Sequence, residues 1–286
     1  MCLLPAAQDF QIELPATDLN SLLKQMLYII DIDPAEMDKN VHSDCHLRGD
    51  LKEVLPLLTK ALESSKHDEW KAEINSWKRP FVQNQIDEYV NPQSLIECVD
   101  ENTPDDTIVV TDVGQHQLWA AQFYKFRQPR TLLTSGGLGT MGYSMGAAMG
   151  AAFGCPQKRV VLFAGDGGFH MNLNELATMA SYNIPVTMFI MNNQVLGMVR
   201  QWQKLFYGNR FADTDPHRQT DFVKVAEAFG VKGLRIENND QIESVVKEAL
   251  AYNGPVLVDC RISPDSNVLP MIPPGGSSDD IIMNFN

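Results

Sequence analysis

Arg159-Val-Val-Leu-Phe-Ala164 followed by Gly165-Asp166-Gly167-Gly168-Phe169 is the stretch from which the fold is read: an apolar, β-branched run that stops at a glycine-flanked acid. Residues 160–164 suit a buried strand, and the spacing of Asn172 and Glu175 predicts a capped helix running to about residue 182. A second apolar run occupies residues 185–191 and ends at Asn192-Asn193. Parallel strands joined by a crossover helix bring both carboxyl ends to one sheet edge, so Asp166 and Asn193 are expected to meet there despite their separation in sequence.

A carboxylate and a side-chain amide oxygen with free positions beside them suit magnesium, which takes oxygen ligands in near-octahedral geometry and is usually completed by phosphates. Gly167 and Gly168 fit the same purpose, because backbone N–H groups without a Cβ can approach a phosphate at a helix entry. The alternative reading is a sharp strand-to-helix turn with Asp166 as its cap.

Gly-Asp-Gly followed some two dozen residues later by Asn-Asn resembles the thiamine-diphosphate motif. The longer runs Gly165-Asp-Gly-Gly-Phe-His-Met-Asn172, Glu175-Leu-Ala-Thr178 and Asn192-Asn-Gln-Val-Leu-Gly-Met-Val-Arg-Gln-Trp-Gln203 are similar to the catalytic subunit of the acetolactate (acetohydroxyacid) synthase family. That resemblance implies that Asp166, Asn193 and the backbone carbonyl of Val195 hold Mg2+, and that the metal holds the cofactor's diphosphate. It also implies cofactor contacts from Gly165, Gly167, Gly168, Leu196, Gly197 and Met198.

The formal net charge of −13 leaves no basic surface to release counterions, which argues against nucleic acid or an anionic membrane as partner. Cys2, Cys45, Cys98, Cys155 and Cys260 are scattered without a Cys-x-x-Cys pair, as free thiols in a reducing compartment are. Met1-Cys-Leu-Leu-Pro-Ala-Ala7 lacks a basic leader, and the uncharged stretch 131–157 is too rich in glycine to read as a membrane span, so the cytoplasm is the expected location.

Residues 26–30 read as a buried strand ending in acids, and Asp50 with Glu53 caps a helix over 51–62. By the resemblance, residues 1–63 are the remnant of a middle domain, with Asp31 and Asp50 near the adenosine part of FAD. A strand-end carboxylate can accept from ribose hydroxyls, although Asp50 also reads simply as a helix cap. Residues 64–86 form a polar linker. Residues 87–286 form the thiamine-diphosphate-binding domain, an α/β doubly wound, mostly parallel sheet of about six strands with helices on both faces.

Within that domain, residues 92–99 predict a helix, 107–111 a buried strand, 112–116 its carboxyl-end loop and 118–126 the next helix. Gly114, Gln115 and His116 match the family's diphosphate contacts, Gly114 giving backbone room and the other two donating to phosphate oxygens. Ser135-Gly-Gly-Leu-Gly-Thr-Met-Gly142 is a glycine-rich loop before a helix over 143–153, in which Gly146 and Gly150 are expected to permit close packing on the sheet. Gly139 and Met141 match the loop on which the cofactor bends, Met141 being the apolar wedge between its two rings.

Met198, Trp202 and Phe206 recur at helical spacing, which ordinarily marks core packing. By the resemblance Trp202, with Met198, lines the pocket for the second 2-keto acid. Residues 221–229, 233–236, 241–250 and 255–261 complete the alternation of helix and strand.

The implied reaction is decarboxylation of pyruvate and ligation of the two-carbon unit to a second 2-keto acid, in branched-chain amino-acid biosynthesis. FAD is structural in it. The carboxylate that the cofactor's pyrimidine needs comes, in the family, from the first domain of a neighbouring subunit, and no stretch here matches that domain. The sequence therefore reads as a C-terminal portion that needs a partner chain or domain, in a family of homo-oligomers with regulatory subunits. Another thiamine-dependent decarboxylase such as a pyruvate oxidase, or an inactive cofactor-binding fragment, are the competing readings.

Overall fold

The computed structural model describes residues 2–5, 26–39, 42–78, 88–276 and 278–284. Two compact units comprise it, one of Met1–Val82 with Leu269–Asn286 and the other of Gln83–Val268.

In the first unit β1 (Cys2–Pro5), β2 (Leu27–Asp31) and β3 (Cys45–Arg48) form a parallel sheet in that order. β1 is too short to give a pattern in sequence. Helix α1 (Leu51–Ala61) follows, and Asp50 caps it by accepting from the Lys52 N–H at 2.8 Å. The capping bond goes to the second helical residue, so the expected reciprocal pairing with Glu53 is not the device used. Helix α2 (Asp68–Trp77) lies in the stretch read as a linker.

The second unit begins with α3 (Pro92–Glu101), started by Asn91, whose side chain accepts from Ser94 N, and by Pro92 at the first helical position. There follow β4 (Ile108–Thr111), α4 (Gln115–Phe123), β5 (Leu132–Leu133), α5 (Tyr143–Gly154), β6 (Val160–Gly165), α6 (Asp166–Asn172), α7 (Leu176–Ser181), β7 (Val186–Asn192), α8 (Gly197–Phe206), α9 (Phe222–Ala228), β8 (Lys232–Ile236), α10 (Ile242–Ala251) and β9 (Val256–Arg261). The six strands are all parallel in the order β5-β4-β6-β7-β9-β8.

Alternation along the strands sends side chains to two separate cores. Val109, Val161, Phe163, Phe189 and Val258 pack with α3, α4 and α10, whereas Val110, Leu162, Ala164, Met188 and Ile190 pack with α5, α6, α7 and α9. Helices thus cover both faces, as doubly wound sheets require. Phe163 and Phe189 stack across β6 and β7 with ring centroids 5.6 Å apart.

Strand order reverses between β4 and β6, because β4 is followed outward by β5 and the chain then returns to place β6 on the other side. At such a switch point the carboxyl ends splay and leave a crevice. Thr111 pairs with Phe163 and Gly165 with Met191, so the ends of β4, β6 and β7 share one edge.

Four local expectations change. The helix after β6 begins at Asp166 itself, leaving no intervening loop. Asn172, at the boundary before α7, makes no capping bond and donates instead to the Gly142 carbonyl. Gln115 and His116 lie in the first turn of α4, entered through Gly114 at φ +147°. Gly146 and Gly150 have nothing within 4 Å of where a Cβ would stand; Met145, Ala148, Ala151 and Ala152 form the packed face of α5.

Candidate active site

The crevice between β4, β6 and β7 is a cavity with about 510 Å³ of empty space. Gly114, Gln115, His116, Met141, Gly165, Asp166, Gly167, Gly168, Asn193, Val195, Leu196 and Met198 all line it. Gly139, Gly197 and Trp202 do not, and Asp31 and Asp50 belong to the other unit. Asp166 is the only acid in the lining.

Each oxygen expected at the metal has a distinct support. Asp166 is 2% exposed and stands on the first turn of α6. Burial raises its carboxyl above the usual carboxylate range, and the Arg218 guanidinium, with Nη1 at 2.9 Å from Oδ2, opposes that rise. Asn193 follows the end of β7. Its Nδ2 donates to Gln115 Oε1 at 3.3 Å, and its Oδ1 accepts from Val195 N at 3.1 Å. The turn between them passes through Gln194 at φ +61°. The neighbouring Asn192 points the other way and donates to the buried Asp259 at 2.8 Å, tying β7 to β9.

Gln115 departs from its expected role. Its Nε2 donates to Gln201 Oε1 at 2.9 Å and to the Ser266 carbonyl at 2.8 Å, which uses both hydrogens, while its Oε1 orients Asn193. It orients Asn193, and its amide hydrogens are both taken. Gly197 makes this possible, since a Cβ there would stand 2.0 Å from Gln115 Oε1 and 2.6 Å from Asn193 Nδ2.

His116, expected as an anion contact, lines the cavity. It is 5% exposed, and its Nε2 is buried without a hydrogen-bond partner among the described residues. Burial pushes its pKa down to about 4 against the opposing pull of Asp112, so the ring is neutral at pH 7. The Nε1 of Trp119, one turn further along α4, is likewise buried and unpartnered in the same lining. Two orphaned ring nitrogens in one cavity are the mark of a missing polar ligand.

The His116 shift has a measurable sign. An unfolded histidine titrates near 6.5, so below that pH the unfolded chain binds a proton that the folded chain refuses. Stability is unaffected above about pH 6.5 and declines as pH falls toward 4, by roughly 2 kcal/mol between pH 7 and 5. Urea midpoints should show this component in the parent chain and lack it in His116→Gln; equal pH slopes in both would remove the buried neutral imidazole.

Asp112, at the carboxyl end of β4, is fully buried and organises the cavity floor. Its carboxylate accepts from Gly142 N at 3.0 Å, Ser144 N at 3.2 Å and Ser144 Oγ at 2.8 Å, fastening the glycine-rich loop that carries Met141. Gly168 leaves room for it: a Cβ there would lie 2.1 Å from Asp112 Oδ1. The missing side chain of Gly168 therefore makes room for Asp112. Gly167 borders Leu196, Met141 and Arg218.

A second cavity, with about 1000 Å³ of empty space, is lined by Met198, Val199, Trp202, Gln203, Tyr207, Arg210 and Ala212. Met198 and Val199 are common to both linings. Trp202 and Phe206 are 39% and 38% exposed, so the α8 stripe faces this opening more than the core.

Asp31 and Asp50 lie at the carboxyl ends of adjacent strands, where Gly49 N donates to the Asp31 carbonyl. One oxygen of each carboxylate accepts from a nearby backbone N–H, that of Asp33 or Lys52. No third acid, histidine or cysteine joins them in a metal-holding group among the described residues.

A parallel sheet with an oxygen-lined cavity at its switch point and orphaned ring nitrogens on its wall defines a cofactor-binding α/β domain, and residues 112–260 match the model of the thiamine pyrophosphate enzyme C-terminal TPP-binding domain. The chain belongs to that family. Its relatives are, in particular, acetolactate synthase large subunits. It is 44% identical over 264 residues to the probable acetolactate synthase large subunit of Methanocaldococcus jannaschii, covering 88% of this chain and 44% of the relative. To the acetolactate synthase of Mycobacterium bovis it is 43% identical over 265 residues, covering 88% and 43%. To the large subunit of Lactococcus lactis it is 40% identical over 256 residues, covering 88% and 44%. The chain spans less than half the length of these relatives.

Sequence reasoning missed Arg218, Gln201 and Trp119 and quoted Asp112 without a role. A buried acid ending a strand at the binding edge was a usable signal for Asp112. Arg218 had none, lying in a polar segment without periodicity.

Proposed function

We propose that this chain is the cofactor-binding portion of an acetolactate synthase catalytic chain, joining the two-carbon unit of pyruvate to a second 2-keto acid to give acetolactate or acetohydroxybutyrate. The observation that carries the reading is the convergence of Asp166, Asn193, Val195 and the orphaned His116 on one cavity in a chain of this family.

Thiamine diphosphate, when bound, supplies the electron sink that decarboxylation needs. The protein's part is to hold and orient. Asp166, Asn193 Oδ1 and the Val195 carbonyl form an oxygen set suited to Mg2+. His116 faces the diphosphate through Nε2, which donates only in the tautomer that gives up the ring's N–H bond to the Asp112 carbonyl, and Gln115 keeps Asn193 turned so that its oxygen faces the metal. Met141, on the loop fastened by Asp112, stands where the cofactor's bend needs an apolar support.

Met198 and Trp202 form the wall toward the second 2-keto acid. An extra methylene against that wall is worth about 1 kcal/mol, favouring 2-ketobutyrate over pyruvate as acceptor. Asp31 and Asp50 support a structural FAD through ribose hydroxyls, with residues 1–63 the remnant of the middle domain. The cytoplasm is the proposed location; no described helix is long and apolar enough to cross a membrane.

Asp166, the only acid in the lining among the described residues, is assigned to the metal. The carboxylate for the cofactor's pyrimidine is assigned, as the family resemblance implies, to another chain or domain. The test is product formation from pyruvate and 2-ketobutyrate by the purified chain with Mg2+, thiamine diphosphate and FAD, alone and with a pyrimidine-binding domain from a relative. Acetohydroxy acids appearing only after the supplement support both parts of the reading. Product from the chain alone removes the half-site, and a folded chain silent in both removes the carboligase.

A further inference from the structure

The segment between α8 and α9 passes beside Asp166. One end is pinned where Leu196 N donates to the Thr214 carbonyl at 2.8 Å, the other where the Thr220 hydroxyl meets His170 Nε2 at 2.8 Å. Between these ends Arg218 reaches inward, its Nη1 2.9 Å from Asp166 Oδ2 and 3.5 Å from where a Gly167 Cβ would stand.

We propose that Arg218 is a resident counter-ion that competes with the divalent cation for Asp166, so that loading the site exchanges one cation for the other. The inference rests on the metal reading above. The Asp166 side chain is 3% exposed, and a buried carboxylate needs a compensating charge whether or not a metal is present. Arg218 supplies it in the cofactor-free chain, and Asp166 is its only acidic partner among the described residues.

The two cations cannot share that oxygen comfortably. Magnesium binds carboxylate oxygen at about 2.1 Å in near-octahedral geometry, and a guanidinium on the same oxygen adds like-charge repulsion beside it. Arginine can leave without unfolding anything. The backbone on either side is fastened, and 23% of its side chain already touches solvent, so rotation about its long stem carries the charged end outward.

Removing the competitor should therefore strengthen cation binding. Manganese(II) alone, titrated into the cofactor-free chain at pH 8 and followed by electron paramagnetic resonance, is the readout, with circular dichroism to verify the fold. Arg218→Gln should bind about tenfold more tightly than the parent, the equivalent of one charge-assisted hydrogen bond. Arg218→Lys should gain less, because an ammonium keeps the charge but loses the planar fork. Equal or weaker binding in both variants overturns the competition. Asp166→Asn separates this from failure of the underlying reading: if it binds manganese like the parent, the metal site itself is wrong, and if it loses binding while Arg218→Gln gains none, only the exchange is wrong.

Discussion

Asp166→Asn is expected to lower Mg2+-dependent binding of thiamine diphosphate by roughly a hundredfold or more. Residues that merely orient metal ligands cost about 10- to 100-fold when changed, and Asp166 is proposed as the single anionic ligand. The substitution keeps the side chain's size and one oxygen, so the loss is of charge. The chain should remain folded, since the Arg218 side chain left behind is 23% exposed and can turn to water. Calorimetric titration of thiamine diphosphate with and without Mg2+ checks this. Binding within threefold of the parent would take Asp166 out of the site.

Gly168→Ala should destabilise the second unit by about 3 kcal/mol or more. The Cβ would stand 2.1 Å from Asp112 Oδ1 and 2.7 Å from its Cγ, closer than atoms can approach. Asp112 cannot swing aside cheaply, because its carboxylate is buried and holds Gly142, Ser144 and its own neighbour Val113. Displacing it would strand a charge without its donors and loosen the loop carrying Met141. Gly150→Ala is the control of opposite sign: it lies inside α5 with nothing within 4 Å, and alanine there should stabilise by about 0.5–1 kcal/mol. Denaturant midpoints of the two variants should move in opposite directions, and a Gly168→Ala midpoint within error of the parent would show that Asp112 is not held as described.

The parts of this site that can be read in the sequence are those carried by contiguous signals. β6 and β7 announce themselves as apolar β-branched runs, and Asp166 and Asn193 take their places from where those runs stop. Parallel pairing then fixes the edge they share, and the six-stranded, doubly wound architecture follows from repeated alternation of helix and strand. What could not be read depends on side chains choosing partners across the fold. The Gln115 amide looked free to meet an anion, yet Gln201 and Ser266 claim it from 86 and 151 positions away. Arg218 reaches Asp166 across 52 positions from a segment with no periodicity. Nor could the sequence show what fills the space a missing Cβ leaves: at Gly168 it is Asp112, and at Gly197 it is Gln115 and Asn193. The α8 stripe had a core's periodicity, but a helix flanking an opening shows the same spacing as one flanking a core.

Asn192 and Asn193 divide their labour by facing opposite ways, one bonded to Asp259 and the other to Gln115. Successive residues leaving a strand alternate sides, so the division is a matter of phase. Lengthening or shortening β7 by one residue would exchange the two asparagines, sending the crevice residue into the sheet and the sheet's tether into the crevice, with composition almost untouched. The loops around the cavity can drift in length as long as their anchors persist; β7 cannot. Its seven residues work as a ruler, and its reading is set by an odd or even count.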